Sequence, residues 1–398
     1  MTYDCDILIS GGGIAGLTAA AVFGSAGFSV ICLDPTAPVT DATATGADMR
    51  STALLQPARA LLEEAGLWER LAPHAAPLQI MRIVDVGSEE AGPRTLREFD
   101  AADISEHPFG WNFPNWLLRR ELLARLATLP NVDFRPGMAS TSLFTRSAMA
   151  RVGLSDGSRL QAKLVIAADG RDSPMRQAAG IGVTTRRYGQ KALAFAVTHP
   201  VPHDNVSTEI HRCGGPFTLV PLPDRDGLPC SAVVWMDAGP ASQARLTLDT
   251  EAFEAEMSAR SCHLYGPLTL ASRRALWPII GQHAERLSGE RLALIAEAAH
   301  VVPPIGAQGL NMSLSDLATL RDLARDNRDS MGDAVMLDAY HKARHPDILM
   351  RVRGIDLLNR ASQASSPLAR DARAMGLNAL HRLTPLRKML MQMGLGTR

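Results

Sequence analysis

Residues 4–34, DCDILISGGGIAGLTAAAVFGSAGFSVICLD, limit the fold more than any other stretch of the chain. Ile7, Leu8 and Ile9 make a short apolar run suited to a buried parallel strand. Gly11, Gly13 and Gly16 follow as G-x-G-x-x-G, and Ile14, Leu17, Ala20 and Ala21 then keep helical spacing. A second apolar run, Phe28 to Leu33, ends in Asp34, 18 residues beyond the last glycine. Strand, tight turn, helix, strand and acid, in that order, are the parts of a dinucleotide site. Gly11 permits the turn, Gly13 lets the backbone approach a pyrophosphate, and Gly16 lets the helix pack close to the strand. The helix N-terminus, with unpaired N–H groups and a positive dipole end, favours the anion. Asp34 can accept hydrogen bonds from an adenosine ribose. A glycine-rich turn with no ligand is the plain alternative, and the flanking strand and helix weigh against it.

Residues 7–33 carry no charge, which raises a membrane segment as another alternative. The residues ahead of them include Asp4 and Asp6, where a signal peptide would need positive charge. No signal peptide and no transmembrane span is expected, and a cytoplasmic location follows. Five cysteines (Cys5, Cys32, Cys213, Cys230 and Cys262) form no C-x-x-C, so neither a disulfide framework nor a metal site is expected. The net charge is zero, which gives no nucleic-acid signature. The balance is uneven, however: residues 342–398 hold eleven Lys/Arg against three acids.

The order of apolar runs sets the domain plan. Residues 35–50 read as a loop. Residues 51–71 read as helical on the stripe Leu54, Leu55, Leu61, Leu62, Leu67 and Leu71, broken near Gly66. Residues 78–113 read as strands joined by a polar turn through GSEEAGPR, and 116–129 as a helix. A strong buried strand at 164–168 runs into Asp169-Gly170. Strands recur at 192–198 and 217–236, a short helix at 249–260 and a buried strand at 292–295. A helix then runs through Ala324, and the chain is mostly helical from 334 onward. The strands at 7–9, 164–168 and 292–295 are expected to share one sheet. The fold class is therefore α/β. A discontinuous Rossmann-like nucleotide domain (1–77, 114–180 and 276–340) carries an inserted mixed β-sheet substrate domain (78–113 and 181–275) and a C-terminal helical segment (341–398).

Three separated stretches make the reading specific: the N-terminal fingerprint, LVIAADGRDSPMR at 164–176, and AEAAHVVPPIGAQGLN at 296–311. In this order they resemble the FAD-dependent aromatic hydroxylases of the p-hydroxybenzoate hydroxylase type, and most closely the ubiquinone-biosynthesis hydroxylases. In the second stretch Asp169 ends a strand where ligands sit in open α/β sheets. Ser173 suits an N-cap and Arg176 can face a phosphate. The third stretch corresponds to the flavin signature. The family has Gly-Asp-Ala-Ala-His where this chain has Ala296-Glu297-Ala298-Ala299-His300, so Glu297 keeps the carboxylate on a longer arm. Pro303 and Pro304 rigidify the approach, Gly306 and Gly309 let the backbone pass beside the flavin ring, and Ala307 replaces a common glycine. Leu310 and Asn311 open a helix whose N-terminus would stabilise negative charge on a reduced flavin. Asp48-Met49-Arg50 resembles a motif whose arginine approaches the flavin. Arg119 resembles the arginine of a family helix that contacts FAD. For both, a surface arginine is the reading without the resemblance. His300 is read as a packing or hydrogen-bonding residue, with catalysis as its weaker alternative; no other catalytic side chain is assigned.

The resemblance implies an FAD-dependent monooxygenase that uses NAD(P)H and O2 through a flavin C4a-hydroperoxide to hydroxylate the ring of a prenylated phenol in ubiquinone biosynthesis. No second G-x-G-x-x-G lies between 180 and 280, so NAD(P)H is expected as a co-substrate without a Rossmann domain of its own. No C-x-x-x-x-C is present, which disfavours a disulfide reductase. Phe217, Leu219, Pro221 and Trp235 are expected either to line the substrate pocket or to be plain sheet core. The tail interleaves arginines with leucines, which suits a helix capping the nucleotide domain, the commoner meaning of amphipathicity, or peripheral contact with the inner face of a membrane. Other ubiquinone-pathway proteins are the expected partners. A monooxygenase acting on another aromatic or isoprenoid compound, and a non-catalytic flavin-binding assembly subunit, remain as alternatives.

Overall fold

The computed structural model describes residues 3–86, 93–212, 214–363, 375–379 and 381–396. Most of the expected turn across 87–94, Cys213, and Arg370, Arg373, Leu380 and Arg398 of the tail lie outside them.

The fully buried runs build the central sheet. Strand Cys5–Ser10 lies between Val30–Asp34 and Arg159–Ala167, both parallel to it, with Ile7 opposite Val30 and Leu164. Val132–Pro136 extends the sheet in parallel on one side and Leu292–Leu294 on the other. The three runs expected to share a sheet do share it. Ile7, Leu8, Ile9, Leu164, Val165 and Ile166 are wholly buried, as strands covered on both faces require. An antiparallel pair, Ser140–Arg146 with Met149–Leu154, hangs from Arg159–Ala167. Burial pushes the thiols of the two strand cysteines up, Cys5 to about 12 and Cys32 further still, so both behave as small hydrophobes.

A second sheet of nine strands runs His300–Val301, Ala275–Ala284, Val183–Thr198, Leu228–Ala238, Gly215–Arg225, Val206–Arg212, Ile80–Val86 and Pro93–Asp100, with Thr269–Leu270 beside Val183–Thr198. Strand alternation gives it two unlike faces. Leu193, Phe195, Phe217, Leu219, Val233 and Trp235 point to one face and form a core with Phe253 and Met257 of helix Thr250–Arg260. Ala192 and Met236 point the other way and join the main core of the nucleotide-binding sheet.

A third, three-stranded sheet corrects the reading of 51–71 as helical throughout. Ser51–Leu55 is a strand, antiparallel to Gly110–Pro114, and helices Gln56–Glu64 and Trp68–Leu71 follow it. Pro57 fits the switch: it sits in the first turn of the helix, where its missing N–H costs nothing, and its ring would clash with a helical turn continued upstream. Gly66, with φ +66°, separates the two helices as anticipated. Beyond the sheets, helix Gln308–Asp326 packs against helix Ile14–Ser25. Helix Ala334–Gln363 packs against helix Gln308–Asp326 and reaches strands Val206–Arg212 and Gly215–Arg225.

Candidate cofactor and substrate site

The fingerprint turn is shaped by close approach. Gly11 has φ +104°, and a Cβ there would sit 2.3 Å from the Ala168 carbonyl oxygen. A Cβ on Gly16 would sit 1.8 Å from the Gly11 carbonyl oxygen. At Gly13 a Cβ would meet no heavy atom within 4 Å, so the space above this residue is open. Helix Ile14–Ser25 begins there with no side chain capping it, which leaves its first N–H groups for a ligand. Asp34 closes the turn from the neighbouring strand: its Oδ2 accepts the Gly12 N–H at 2.7 Å, and its Oδ1 accepts the Thr36 N–H at 2.8 Å.

Asp169 stands at the end of the adjacent strand. Its Oδ2 accepts the Met175 N–H at 3.1 Å and the Ser10 hydroxyl at 3.3 Å, while its buried Oδ1 has no partner among the described residues. Burial raises its carboxyl above the ordinary range, against hydrogen bonds that act to lower it. Ser173 caps helix Pro174–Ala178 as expected, accepting the Arg176 N–H. The Arg176 side chain is largely buried and turned toward backbone carbonyls. Its guanidinium donates to the Ala298 and Arg171 carbonyls, both at 2.9 Å, and ties the two loops together. These carbonyl partners follow from the packing, and sequence position alone does not show which they are.

Arg50 and Arg119 converge on one carboxylate. Arg50 donates to Asp48 through Nε at 2.9 Å and Nη2 at 2.7 Å; Asn115 Nδ2 donates to Asp48 at 2.9 Å, and Arg119 Nη2 lies 3.5 Å away. Burial alone would raise the Asp48 carboxyl, but the Arg50 guanidinium and the Asn115 amide outweigh it and hold the group below the usual carboxylate range. The Arg50 guanidinium lies 4.3 Å from the centre of the Trp277 ring, and the exposed Glu297 adds attraction. Trp277 gave no signal in the sequence; only its place on strand Ala275–Ala284, opposite the 48–50 loop, brings it here.

The 303–311 loop presents Pro304, Gly306 and Gly309 at the surface, with Leu310 half-buried. Gly306 and Ala307 both take left-handed backbone, φ +63° and +55°, and helix Gln308–Asp326 then starts without a side-chain cap. Ala296 is left-handed too, at φ +55°. Asn311 is turned inward: its Oδ1 accepts the Leu55 N–H, and its Nδ2 donates to the Ala53 and Ala307 carbonyls. His300 is buried, with Nε2 2.7 Å from Asp316 Oδ2, and Arg344 holds the other Asp316 oxygen at 2.7 Å. This buried His–Asp–Arg chain fixes the strand leading to the loop, the hydrogen-bonding part foreseen for His300.

Phe217, Leu219 and Trp235 pack against Phe253 or its neighbours on the helix-covered face and form sheet core there. Their parity decides this: each points away from the nucleotide-binding sheet. Pro221 is buried, and its carbonyl accepts Asn112 Nδ2 at 2.9 Å, joining the second and third sheets.

A family model described as FAD binding domain matches residues 4–352. The chain belongs to the FAD binding domain family. It is 34% identical over 396 residues to the ubiquinone hydroxylase UbiL of Rhodospirillum rubrum, covering 98% of this chain and 90% of that protein. It is 26% identical to the 3-demethoxyubiquinol 3-hydroxylase of Escherichia coli, with 98% of each chain covered. The fold is shared with p-nitrophenol 4-monooxygenase PnpA from Pseudomonas putida at TM-score 0.79 and 18% identity, over 99% of this chain and 98% of that one. FAD is the cofactor of this family member, and the site suits it. The open space over Gly13, the uncapped N-termini of two helices and the unpartnered Asp169 Oδ1 are the acceptor and donor positions that a dinucleotide needs. Among the described residues no helix is long and apolar enough to cross a membrane.

Proposed function

We propose that this FAD enzyme is a monooxygenase that hydroxylates the aromatic ring of a prenylated phenol in ubiquinone biosynthesis, with NAD(P)H and O2 as co-substrates. The observation that carries the reading is end-to-end similarity to ubiquinone-pathway hydroxylases over 98% of the chain, joined to the paired fingerprint and 303–311 loop geometry. When bound, FAD supplies the redox chemistry and the oxygen transfer. The chain's residues bind and orient it. Gly11, Gly13, Gly16 and the helix behind them take the pyrophosphate, and Asp34 takes the ribose. Asp169 and Glu297 offer acceptors along the ligand, and Arg50 and Arg119 supply positive charge. Pro304, Gly306, Gly309, Leu310 and Asn311 shape the flavin end, with the Gln308–Asp326 helix dipole favouring negative charge there.

The same reading includes contact with anionic lipid, where a prenylated substrate dissolves. Leu357, Leu358, Leu383, Met389 and Met393 are more than half, or nearly half, exposed. Arg353, Arg360, Arg382 and Lys388 lie among them.

Accumulation analysis tests the function: a deletion strain should lose ubiquinone and build up an under-hydroxylated prenylphenol. Purified protein that never consumes NAD(P)H with any prenylphenol would instead support the assembly-subunit reading. Flotation with liposomes tests the surface, and binding that ignores anionic lipid content would rule it out.

A further inference from the structure

Helix Thr384–Leu395 turns its apolar stripe outward. Leu383, Leu386, Leu390 and Met393 recur at helical spacing with Met389 beside them, and they are 38% to 55% exposed. Arg387, Met391 and Leu395 make the opposite side, which faces the protein: Leu395 is buried, Met391 half-buried and the Arg387 side chain only 16% exposed. A helix packed to serve the core would be the other way round. Residues 372–398 hold Arg373, Arg382, Arg387, Lys388 and Arg398 and no acid. An anionic surface therefore complements this stripe better than a second copy of the same basic segment.

The helix is fastened at both ends. At one, Gln308 Nε2 donates to the Gly394 carbonyl at 3.0 Å and to the Gly306 carbonyl at 2.9 Å, while Arg351 Nη1 donates to Gln308 Oε1 at 2.8 Å. At the other, Arg387 Nη2 donates to Asp103 Oδ2 at 2.8 Å, and the His381 ring meets the Phe99 ring edge-on with centroids 5.8 Å apart. Phe99 lies on Pro93–Asp100, an end strand of the second sheet, and Asp103 in the turn that follows it. Gly306 and Gln308 belong to the stretch that shapes the flavin end. The helix thus straps the flavin loop to the edge of the second sheet, and one side-chain amide holds both the loop backbone and the strap.

We propose that helix Thr384–Leu395 is a lipid-operated strap: its outward stripe seats in an anionic bilayer, and seating draws it from Gln308 and Asp103 and frees the 303–311 loop. The fastenings are an amide–carbonyl bond and a half-exposed ion pair, both weak in net terms. Burying five apolar side chains in lipid outweighs them, and Arg382 and Lys388 add attraction to anionic headgroups. Off the bilayer the loop stays fastened; on it, the loop is released where a lipid-dissolved substrate arrives. The strap rests on the lipid-contact reading above and is tested without turnover.

The experiment is hydrogen exchange on FAD-loaded full-length protein, with phosphatidylcholine vesicles that contain or lack phosphatidylglycerol. Anionic vesicles should bind the wild type and speed exchange in the 303–311 loop by about tenfold; neutral vesicles should do neither. Gln308→Ala, unfastened at one end, should exchange fast without vesicles and still bind the anionic ones. Arg387→Ala loosens the other end and should behave alike, which keeps the test open should Gln308→Ala misfold. The double variant L386E/M393E should keep slow loop exchange and lose vesicle binding. Wild-type protein that binds anionic vesicles with unchanged loop exchange would overturn the strap and leave the lipid contact standing. Protein that ignores vesicles of both kinds would overturn the lipid contact and the strap together. A dimer in sedimentation that L386E/M393E abolishes would show a second copy covering the stripe, and would overturn the lipid occupant.

Discussion

Asn311 stands in for a neighbouring strand to Leu55. The two residues are 256 positions apart, yet the Asn311 side-chain oxygen accepts the Leu55 N–H at 2.8 Å, and its amide donates to Ala53 at 2.7 Å. The 303–311 loop and the strand that follows the Asp48–Arg50 corner are thereby held as one unit. Replacing Asn311 with Ala leaves a buried N–H and buried carbonyls unpaired. The expected loss is about 3 kcal/mol of stability, with a fall in bound FAD. Urea unfolding and the flavin-to-protein absorbance ratio would measure both, and a loss within experimental error would show the bonds to be replaceable.

Gly13→Ala separates folding from cofactor binding. Its φ of −67° is ordinary for alanine, and the added methyl meets nothing in the protein. The variant should fold with unchanged stability and bind FAD at least tenfold more weakly, a penalty of about 1.4 kcal/mol. Gly16→Ala, whose methyl would collide with the Gly11 backbone, should damage both. Equal FAD affinity in Gly13→Ala and wild type, by fluorescence titration, would place the pyrophosphate elsewhere.

Ala296 and Ala307 hold left-handed backbone, which costs a non-glycine residue roughly 1–2 kcal/mol, partly offset by glycine's greater freedom when unfolded. Ala296→Gly and Ala307→Gly should each stabilise the protein by about 0.5–1 kcal/mol. Calorimetry would show this as a higher Tm; a lower Tm would mean that the alanine methyls pack usefully.

Asp169 supplies a pH dependence with a definite sign. Its folded-state pKa is raised by burial, so the unfolded chain ionises first as pH rises. Its contribution favours folding below the ordinary aspartate pKa and is lost as pH climbs through the raised folded value. Asp169→Asn should flatten that part of the stability–pH curve above pH 4 and weaken FAD retention. A curve parallel to wild type across this range would contradict the assignment.

Much of this was legible before the structure. The runs at 7–9, 164–168 and 292–295 read as one parallel sheet because wholly apolar strands need cover on both faces, and the glycine register marked the turn. What the sequence left open shares a cause. Leu54 and Leu55 fit a helical stripe, but pairing with strand Gly110–Pro114 overrode local pattern. Phe217, Leu219 and Trp235 announced an apolar sheet, yet which parity faces the cofactor depends on where the covering helix packs. Trp277 and Arg176 took partners from distant segments, and no local rule names those.

The parallel order of the central sheet also constrains how the protein can be made. Strand Cys5–Ser10 lies between Val30–Asp34 and Arg159–Ala167, and Leu292–Leu294 pairs with the last of these and with Ser288–Gly289. During synthesis the first strand emerges early, but one of its flanks stays open until the chain has lengthened past residue 167. Long-range parallel pairing of this kind is slow and leaves an adhesive edge in the meantime. The nascent N-terminal half therefore carries an open parallel edge until residues 159–167 have been made.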